Sequence, residues 1–425
     1  VSGSQGKSRA GKLALLTGAA ALALCAAQSA QASGFVNQSQ STVYNGSAYA
    51  GYAAPGGSSP SAMFLNPVII TQFRAFTTEN NFSYVAPNTK ISGVGLAGGA
   101  DSGDIGRNAL VPASYAVLPL NSQWFLGVAF NAPFGLATKP DIPWGGQMNS
   151  LTTKARTYNL TPSLAYAFSD TLSLGLGVQM QRMDVRFLAA AAPVPGAPAA
   201  GIEGDGWGFG VTAGLTWKPL AGTSIGVGYR SRIDQKLEGE YVGALAPFGA
   251  ISGTLKLPDR LNVSLRQSIS RDFDLLASAE WQGWGRIGTA ILRGPGVPFA
   301  PLQALAFEYD DGWFFALGGE YRWSSALTLR GGLAYEISPI STAIRSTRLP
   351  DNDRIWLSAG FSYQMNERFA VNGSFSHVMV KDADIVIAAP QPPYVGSSKS
   401  YVNIVSLGVT SKWGSSAASP VVAKY

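Results

Sequence analysis

The 425-residue chain contains one cysteine, Cys25, and one histidine, His377. Cys25 sits in an apolar run, residues 13–27, that follows Lys7, Arg9 and Lys12 and precedes Ala30-Gln31-Ala32. A basic start, an apolar middle and small residues at a cleavage site make a secretory signal peptide of residues 1–32. The apolar run is too short to cross a bilayer as a helix. Leu24 stands where a lipid-modified signal needs a small residue, so Cys25 is not read as a lipid anchor. The mature chain is then expected to begin near Ser33 without a thiol, which excludes disulfides and thiolate metal sites. No metal or cofactor is expected.

Charge is also scarce, at 13% of residues. Once the three basic residues of the signal are set aside, 28 Lys and Arg face 25 Asp and Glu, too even a balance for a nucleic-acid surface. No mature segment offers the long apolar stretch of a transmembrane helix. In their place stand 50 glycines and 11% aromatics. A membrane protein without spanning helices has to be a closed β-barrel, because lipid cannot satisfy an open sheet edge.

Alternation supports that class. Trp207, Phe209, Val211, Leu215 and Trp217 share one parity, while Gly208, Gly210, Thr212, Gly214 and Thr216 take the other. Leu172, Leu174, Leu176, Val178 and Met180 likewise oppose Ser173, Gly175, Gly177, Gln179 and Gln181. Ile355, Leu357, Phe361 and Tyr363 oppose Ser358, Gly360 and Ser362. Period two means strand, and a greasy face backed by small or polar residues fits lipid outside and a lumen inside. Trp124, Trp217, Trp323 and Trp413 fall at strand ends, where interfacial girdles lie, although core packing explains any single tryptophan as well.

Short turns near Asn121, Ser169, residues 219–223, Asp272, Ser324 and Asn366 separate long strands. Longer Pro- and Gly-rich connections fall near residues 87–108, 139–152, 189–204, 243–251, 293–305, 338–351 and 388–399. Seven loops and six turns predict an all-β, antiparallel barrel of about fourteen strands over residues 73–413, with both termini on the periplasmic side. Residues 33–72 do not alternate, yet carry Phe35, Tyr44, Tyr49, Met63, Phe64 and Leu65. That is more apolar than a disordered tail needs, so they are expected to plug the lumen. Residues 414–425 read as a C-terminal tail.

Ser33-Gly34-Phe35, Gly46-Ser47-Ala48-Tyr49-Ala50-Gly51 and Asn66-Pro67-Val68-Ile69-Ile70-Thr71-Gln72-Phe73 occur in an order that resembles the N-terminal hatch of the FadL family of outer-membrane transporters. The resemblance continues through Val111-Pro112, Ala116-Val117-Leu118-Pro119-Leu120-Asn121, Tyr229-Arg230-Ser231 and Leu349-Pro350-Asp351-Asn352-Asp353-Arg354-Ile355-Trp356. It implies a monomeric fourteen-stranded barrel in the outer membrane, plugged by its hatch. Long-chain fatty acids or other hydrophobic small molecules would pass from the loops to an inner pocket and leave sideways into outer-membrane lipid at a kinked third strand. The family's Asn-Pro-Ala reads Asn66-Pro67-Val68 here.

The third strand, residues 123–138, contains Asn131-Ala132-Pro133-Phe134-Gly135. Pro133 cannot donate to a ladder and Gly135 tolerates a bulge. Taken alone, that pattern suits a strand end near a loop; with the resemblance it implies a lateral gate at Pro133 and Gly135, held by Asn66 and Pro67. The resemblance also places Arg186, beside Phe187, against a fatty-acid carboxylate, for which a forked guanidinium is suited. An ordinary lumen or loop arginine is the other reading. The family's lysine before strand ten falls near Leu305 here, which leaves room for monoaromatic or alkane substrates. Two apolar loops, residues 189–200 and 243–251 with Leu245 and Phe248, match the family's capture groove, and compact proline-rich loops are the alternative.

Other classes are disfavoured. A general porin concentrates charge at a constriction, and no loop carries such a cluster. Gly93-Val94-Gly95-Leu96-Ala97-Gly98 and Gly222-Thr223-Ser224-Ile225-Gly226 lack the strand–turn–helix setting of a dinucleotide site or a nucleophile elbow. His377 follows Ser374 and Ser376 on one strand, which cannot converge as a hydrolase pair. No enzyme activity is expected.

Overall fold

The computed structural model describes residues 34–243, 249–294 and 304–413. The expected signal peptide and C-terminal tail lie outside them, as do Leu245 and Phe248. Among the described residues, fourteen antiparallel staves close into a barrel. They begin with β1 (Phe76–Gly95), β2 (Ala109–Pro119), a third stave split into β3 (Trp124–Asn131) and β4 (Gly135–Thr138), β5 (Thr152–Ala167), β6 (Leu172–Ala190) and β7 (Ala199–Leu220). Stave seven is β8 (Thr223–Arg230) with β9 (Ile233–Val242), and stave eight is β10 (Ala250–Leu257) with β11 (Arg260–Ser268). Next comes β12 (Phe273–Gln282). A small hairpin of β13 (Thr289–Ile291) and β14 (Ala304–Ala306) stands outside the barrel sheet. The wall ends with β15 (Gly312–Arg322), β16 (Leu327–Ile337), β17 (Arg354–Gln364), β18 (Phe369–Ile387) and β19 (Tyr394–Trp413). Closure is made by β1, which pairs with β2 on one edge and with β19 on the other, Phe76 opposite Trp413.

Local chemistry makes the short turns. Asn121 Oδ1 accepts from the N–H groups of Gln123 and Trp124, and Ser169, Ser270, Ser324 and Asn366 do the same in their own turns. These side chains mimic a backbone turn. Gly222 supplies a φ of +80° in the remaining one. The opposite ends carry the long loops, and β1, β6, β7, β18 and β19 extend well past the roughly 9–11 residues a tilted strand needs to cross lipid.

Two boundaries differ from the sequence reading. Pro87 reads as the start of a loop but lies within β1, opposite Val402. The β1–β2 ladder stops at Val85 and Ala109, and Thr89, two residues past Pro87, aims its N–H at Asp104 on that edge. Residue 87 points the same way, where no ladder donor is needed. The expected loop at 293–305 is longer, because β12 ends at Gln282 and the chain turns inward to bury Trp284 completely.

The alternation is as read. Leu174, Leu176, Val178, Trp207, Phe209 and Val211 lie exposed on the outer face, while Ser173, Gln179, Gln181 and Thr212 are buried in the lumen. The lumen is filled below by residues 34–75. The helical turn Thr42–Asn45 is capped by Ser41, and the 3-10 turns Pro60–Phe64 and Pro67–Gln72 by Ser59 and Asn66. Tyr44, Tyr49, Tyr52 and Phe64 stack through the middle of this hatch, and Tyr49 meets Trp356 of the wall edge-on at 5.8 Å.

The small lumen-facing residues are clearances for this hatch. A Cβ on Gly226 would stand 1.7 Å from the Ala53 carbonyl oxygen, on Gly214 1.9 Å from Asn66 Oδ1, and on Gly332 2.1 Å from the Ser47 carbonyl oxygen. The wall also holds the hatch by hydrogen bonds: Arg230 donates to the Phe64 carbonyl at 2.7 Å, and Ser59 donates to Glu79 at 2.8 Å. Lumen-facing Arg266 binds both Asp274 and Glu320, and Arg330 binds Glu320, all within 2.9 Å. This charge cluster escapes notice in the sequence because its members are far apart along the chain. Replacing Gly226 by Val should cost at least the ~1–3 kcal/mol typical of overpacking and push the hatch off the wall. Raised ion conductance in planar bilayers, with the barrel still folded by its heat-modifiable gel mobility, is the expected result.

Candidate functional site

The wall is broken in its third stave. The β2–β3 ladder ends at Ser114 and Phe130, and β3 and β4 are separated by residues 132–134, with Pro133 inside the gap and Pro112 on the strand across it. Neither proline has an N–H to donate. Eight residues above the interfacial Trp124, at ~2.5 Å of height per tilted residue, the break lies about 20 Å up, inside a ~25 Å apolar band. Lipid cannot satisfy it, so the N-terminal segment does. Asn37 N donates to the Pro133 carbonyl and Gly135 N to the Phe35 carbonyl, both at 2.8 Å, with Val36 bridging Phe134. The Gln40 amide donates to the Ala132 carbonyl at 2.8 Å and accepts from Ala132 N at 3.1 Å. Tyr115 donates to the Gln40 carbonyl at 2.6 Å.

Above this cork lies an apolar chamber. Phe35, Phe134 and Trp284 form an aromatic knot, with Trp284 4.8 Å from Phe35 and 6.2 Å from Phe134, both edge-on. Leu136, Met183, Val185, Leu257 and Leu349 extend it. A cleft runs upward from there between Phe187, Leu237, Leu255, Leu305 and Phe307. At its edge stands Arg348, in the loop after β16. The Arg348 guanidinium lies over the Phe187 ring at 5.9 Å and, among the described residues, hydrogen-bonds the Leu188 carbonyl and the Thr153 hydroxyl, at 3.3 and 3.5 Å. No acidic side chain pairs with it among the described residues. Burial lowers its pKa to about 10, so it is charged at neutral pH. Three residues on, Asp351 accepts from Gly34 N at 3.0 Å and from Ser338 at 2.6 Å, and also meets Arg354. One loop therefore presents a lone cation to the chamber and holds the start of the cork.

The sequence-derived residues divide. Phe187 lines the cleft, and Pro133 and Gly135 lie in the break and make its backbone contacts. Arg186 does not face the chamber. It has the parity of Leu174, Leu176 and Val178, so it points out of the barrel, where its Nε lies 2.9 Å from Glu203. That parity was legible in the sequence and outweighs the alignment that placed Arg186 inside. Asn66 and Pro67 are not at the break either: Asn66 donates to the carbonyls of Ala53 and Leu215, and Pro67 and Val68 press on Gly214 and Gly175. They anchor the hatch to staves five to seven, whereas residues 34–40 close the break. Gln40, Trp284, Arg348 and Asp351 were not singled out as functional. The last two flank the Leu349-Pro350 motif, and nothing local marks the others. His377 binds Asn403 on the outer face, away from lumen-facing Ser374 and Ser376.

Lipid outside, a plug below and grease above leave one class of protein, an outer-membrane channel for hydrophobic molecules. The chain belongs to the outer membrane protein transport protein family (OMPP1/FadL/TodX), whose profile it matches over residues 23–413, a family of transport channels and not of enzymes. It is 27% identical over 360 residues to the long-chain fatty acid transport protein of Escherichia coli K12, covering 74% of this chain and 80% of that one. It is 29% identical over 396 residues to the 47 kDa outer membrane protein of Pasteurella multocida, covering 85% and 91%. The structure of a Pseudomonas aeruginosa FadL homologue superposes with a TM-score of 0.82 at 23% identity over 90% of this chain and 100% of that one. The Ralstonia pickettii toluene transporter TbuX gives 0.67 at 15% identity over 89% and 100%.

Gln40→Leu should leave the Ala132 N–H without a partner, at about 1–3 kcal/mol. Amide hydrogen exchange should then accelerate at residues 34–37 and 131–135 and stay unchanged in β15 to β19.

Proposed function

We propose that this outer-membrane transporter takes up long-chain fatty acids, and the observation that carries the reading is Arg348, a cation without an acidic partner among the described residues, at the edge of an apolar chamber. An alkyl chain fills the Phe187–Leu255–Phe307 cleft while the carboxylate takes the forked donors of Arg348. Leu245 and Phe248, which the resemblance assigns to a capture groove, are the residues to meet the ligand first. Exit is sideways, through the break at Pro133 and Gly135, when residues 34–37 unpair. Asn66 and Pro67 keep the body of the hatch seated meanwhile, so the cork moves and the barrel does not. Ligand against Arg348 bears on Leu349 and Asp351, and Asp351 is the group that holds Gly34. No energy source is needed, since a ligand that favours the unpaired cork shifts its population.

The second reading, a monoaromatic or alkane substrate, is favoured by Leu305, which keeps the cleft apolar where the resemblance expects a lysine. Titration of the purified protein with a long-chain fatty acid and with a monoaromatic hydrocarbon separates the two. Arg348→Ala should weaken fatty-acid binding by about 1.5–3 kcal/mol, roughly 10- to 100-fold, and Arg186→Ala should not. Tight hydrocarbon binding with weak fatty-acid binding to the unaltered protein would favour the second reading. Straightening stave three with Pro133→Thr and Gly135→Val should abolish uptake while the barrel stays folded; unchanged uptake would remove the lateral exit.

A further inference from the structure

The outward face of staves four to seven carries charge in an order unlike that of an ordinary solvated wall. Along β7, Trp217 and Trp207 mark the two edges of the apolar band, ten residues or about 25 Å of height apart. At the upper edge Arg182 lies over the Trp207 ring at 5.9 Å, and charged residues follow directly above. Register places Lys154, Arg186, Glu203 and Glu240 side by side across β5, β6, β7 and β9. The row below is Arg156, Asp184, Asp205 and Glu238.

Like charges thus stand directly opposite one another at Lys154–Arg186, Asp184–Asp205, Asp205–Glu238 and Glu203–Glu240, an arrangement that destabilises a sheet. Exchanging neighbours would have relieved it. The Arg186–Glu203 and Arg182–Asp205 bridges, at 2.9 and 2.7 Å, relieve part of it, and Lys154 has no acidic partner among the described ion pairs. The face is segregated, basic toward β5 and acidic toward β9, and it forms a concave surface at the height of lipid headgroups.

We infer that this face seats the phosphorylated headgroup of an outer-leaflet glycolipid. Its phosphates lie on Lys154, Arg156 and Arg186, and the divalent counter-ions that such headgroups carry lie toward Glu238 and Glu240. Two properties argue for this occupant: its charge pattern complements the two halves of the face, and the face begins where the apolar band ends. A lipid anchored there stands on the wall of the staves that hold the cleft and shields them from water. Arg186, which does not reach the chamber, has its role here.

The test compares the purified full chain with Lys154→Gln/Arg156→Gln, titrating each with a diphosphorylated lipid A-type glycolipid and with its dephosphorylated form in detergent containing magnesium. Binding of the phosphorylated lipid at least tenfold tighter than of the dephosphorylated one, lost in the double variant and weakened by a chelator, is the expected result. Equal affinity for the two lipids, an unchanged affinity in the double variant, or a dimer that the variant dissolves would each overturn it. Both altered side chains lie on the outer face, so fatty-acid binding through Arg348 should be unchanged and reports separately on folding.

Discussion

Lipid offers no hydrogen-bond partner, so a barrel wall broken at Pro133 has to be completed by another part of the same chain. Asn37, Gly135 and Gln40 make that completion, and much else follows from it. Residues 35–37 have to lie inside the barrel to pair with stave three, so the residues after them fill the lumen. The wall then has to be smooth where they press on it, hence Gly214, Gly226 and Gly332. A barrel sealed by a full-length ladder would be permanent; one sealed by a few hydrogen bonds from residues 35–40 can be undone locally.

The same segment joins the seal to the chamber. Phe35 is both the backbone partner of Gly135 and one side of the aromatic knot with Trp284, and Gly34 is tied to Asp351 in the loop that carries Arg348. The break and the chamber are thus neighbours within one contiguous packing unit. The charged residues lower in the lumen, Arg266, Asp274, Glu320 and Arg330, are paired with one another and brace the hatch and wall. Among the described residues Arg348 differs in meeting neutral oxygens alone, which is why the proposed carboxylate site falls on it and not on the richer cluster.

Outside the barrel the physics reverses. Apolar side chains such as Leu176 and Phe209 are exposed because their solvent is lipid, and charge appears above Trp207, where that solvent ends. Arg186 illustrates how one residue of register decides between these worlds: a shift of one position would carry it from the headgroup level into the chamber.

The sequence by itself determined the class of structure, the number of staves, the inward or outward direction of each side chain and the likeness to a hatch-filled transporter. Period-two alternation and turn residues such as Asn121 and Ser169 act over a few neighbours and so can be read along the chain. Pro133 and Gly135 announced a break for the same local reason. Tertiary structure alone decided what fills that break, because the contacts of Gln40 with Ala132 and of Gly34 with Asp351 join residues 92 and 317 positions apart. It also decided that Arg348 has no acidic partner among the described residues, since pairing depends on which loops fold over the lumen. A property defined by what surrounds a group in space leaves no period in the sequence.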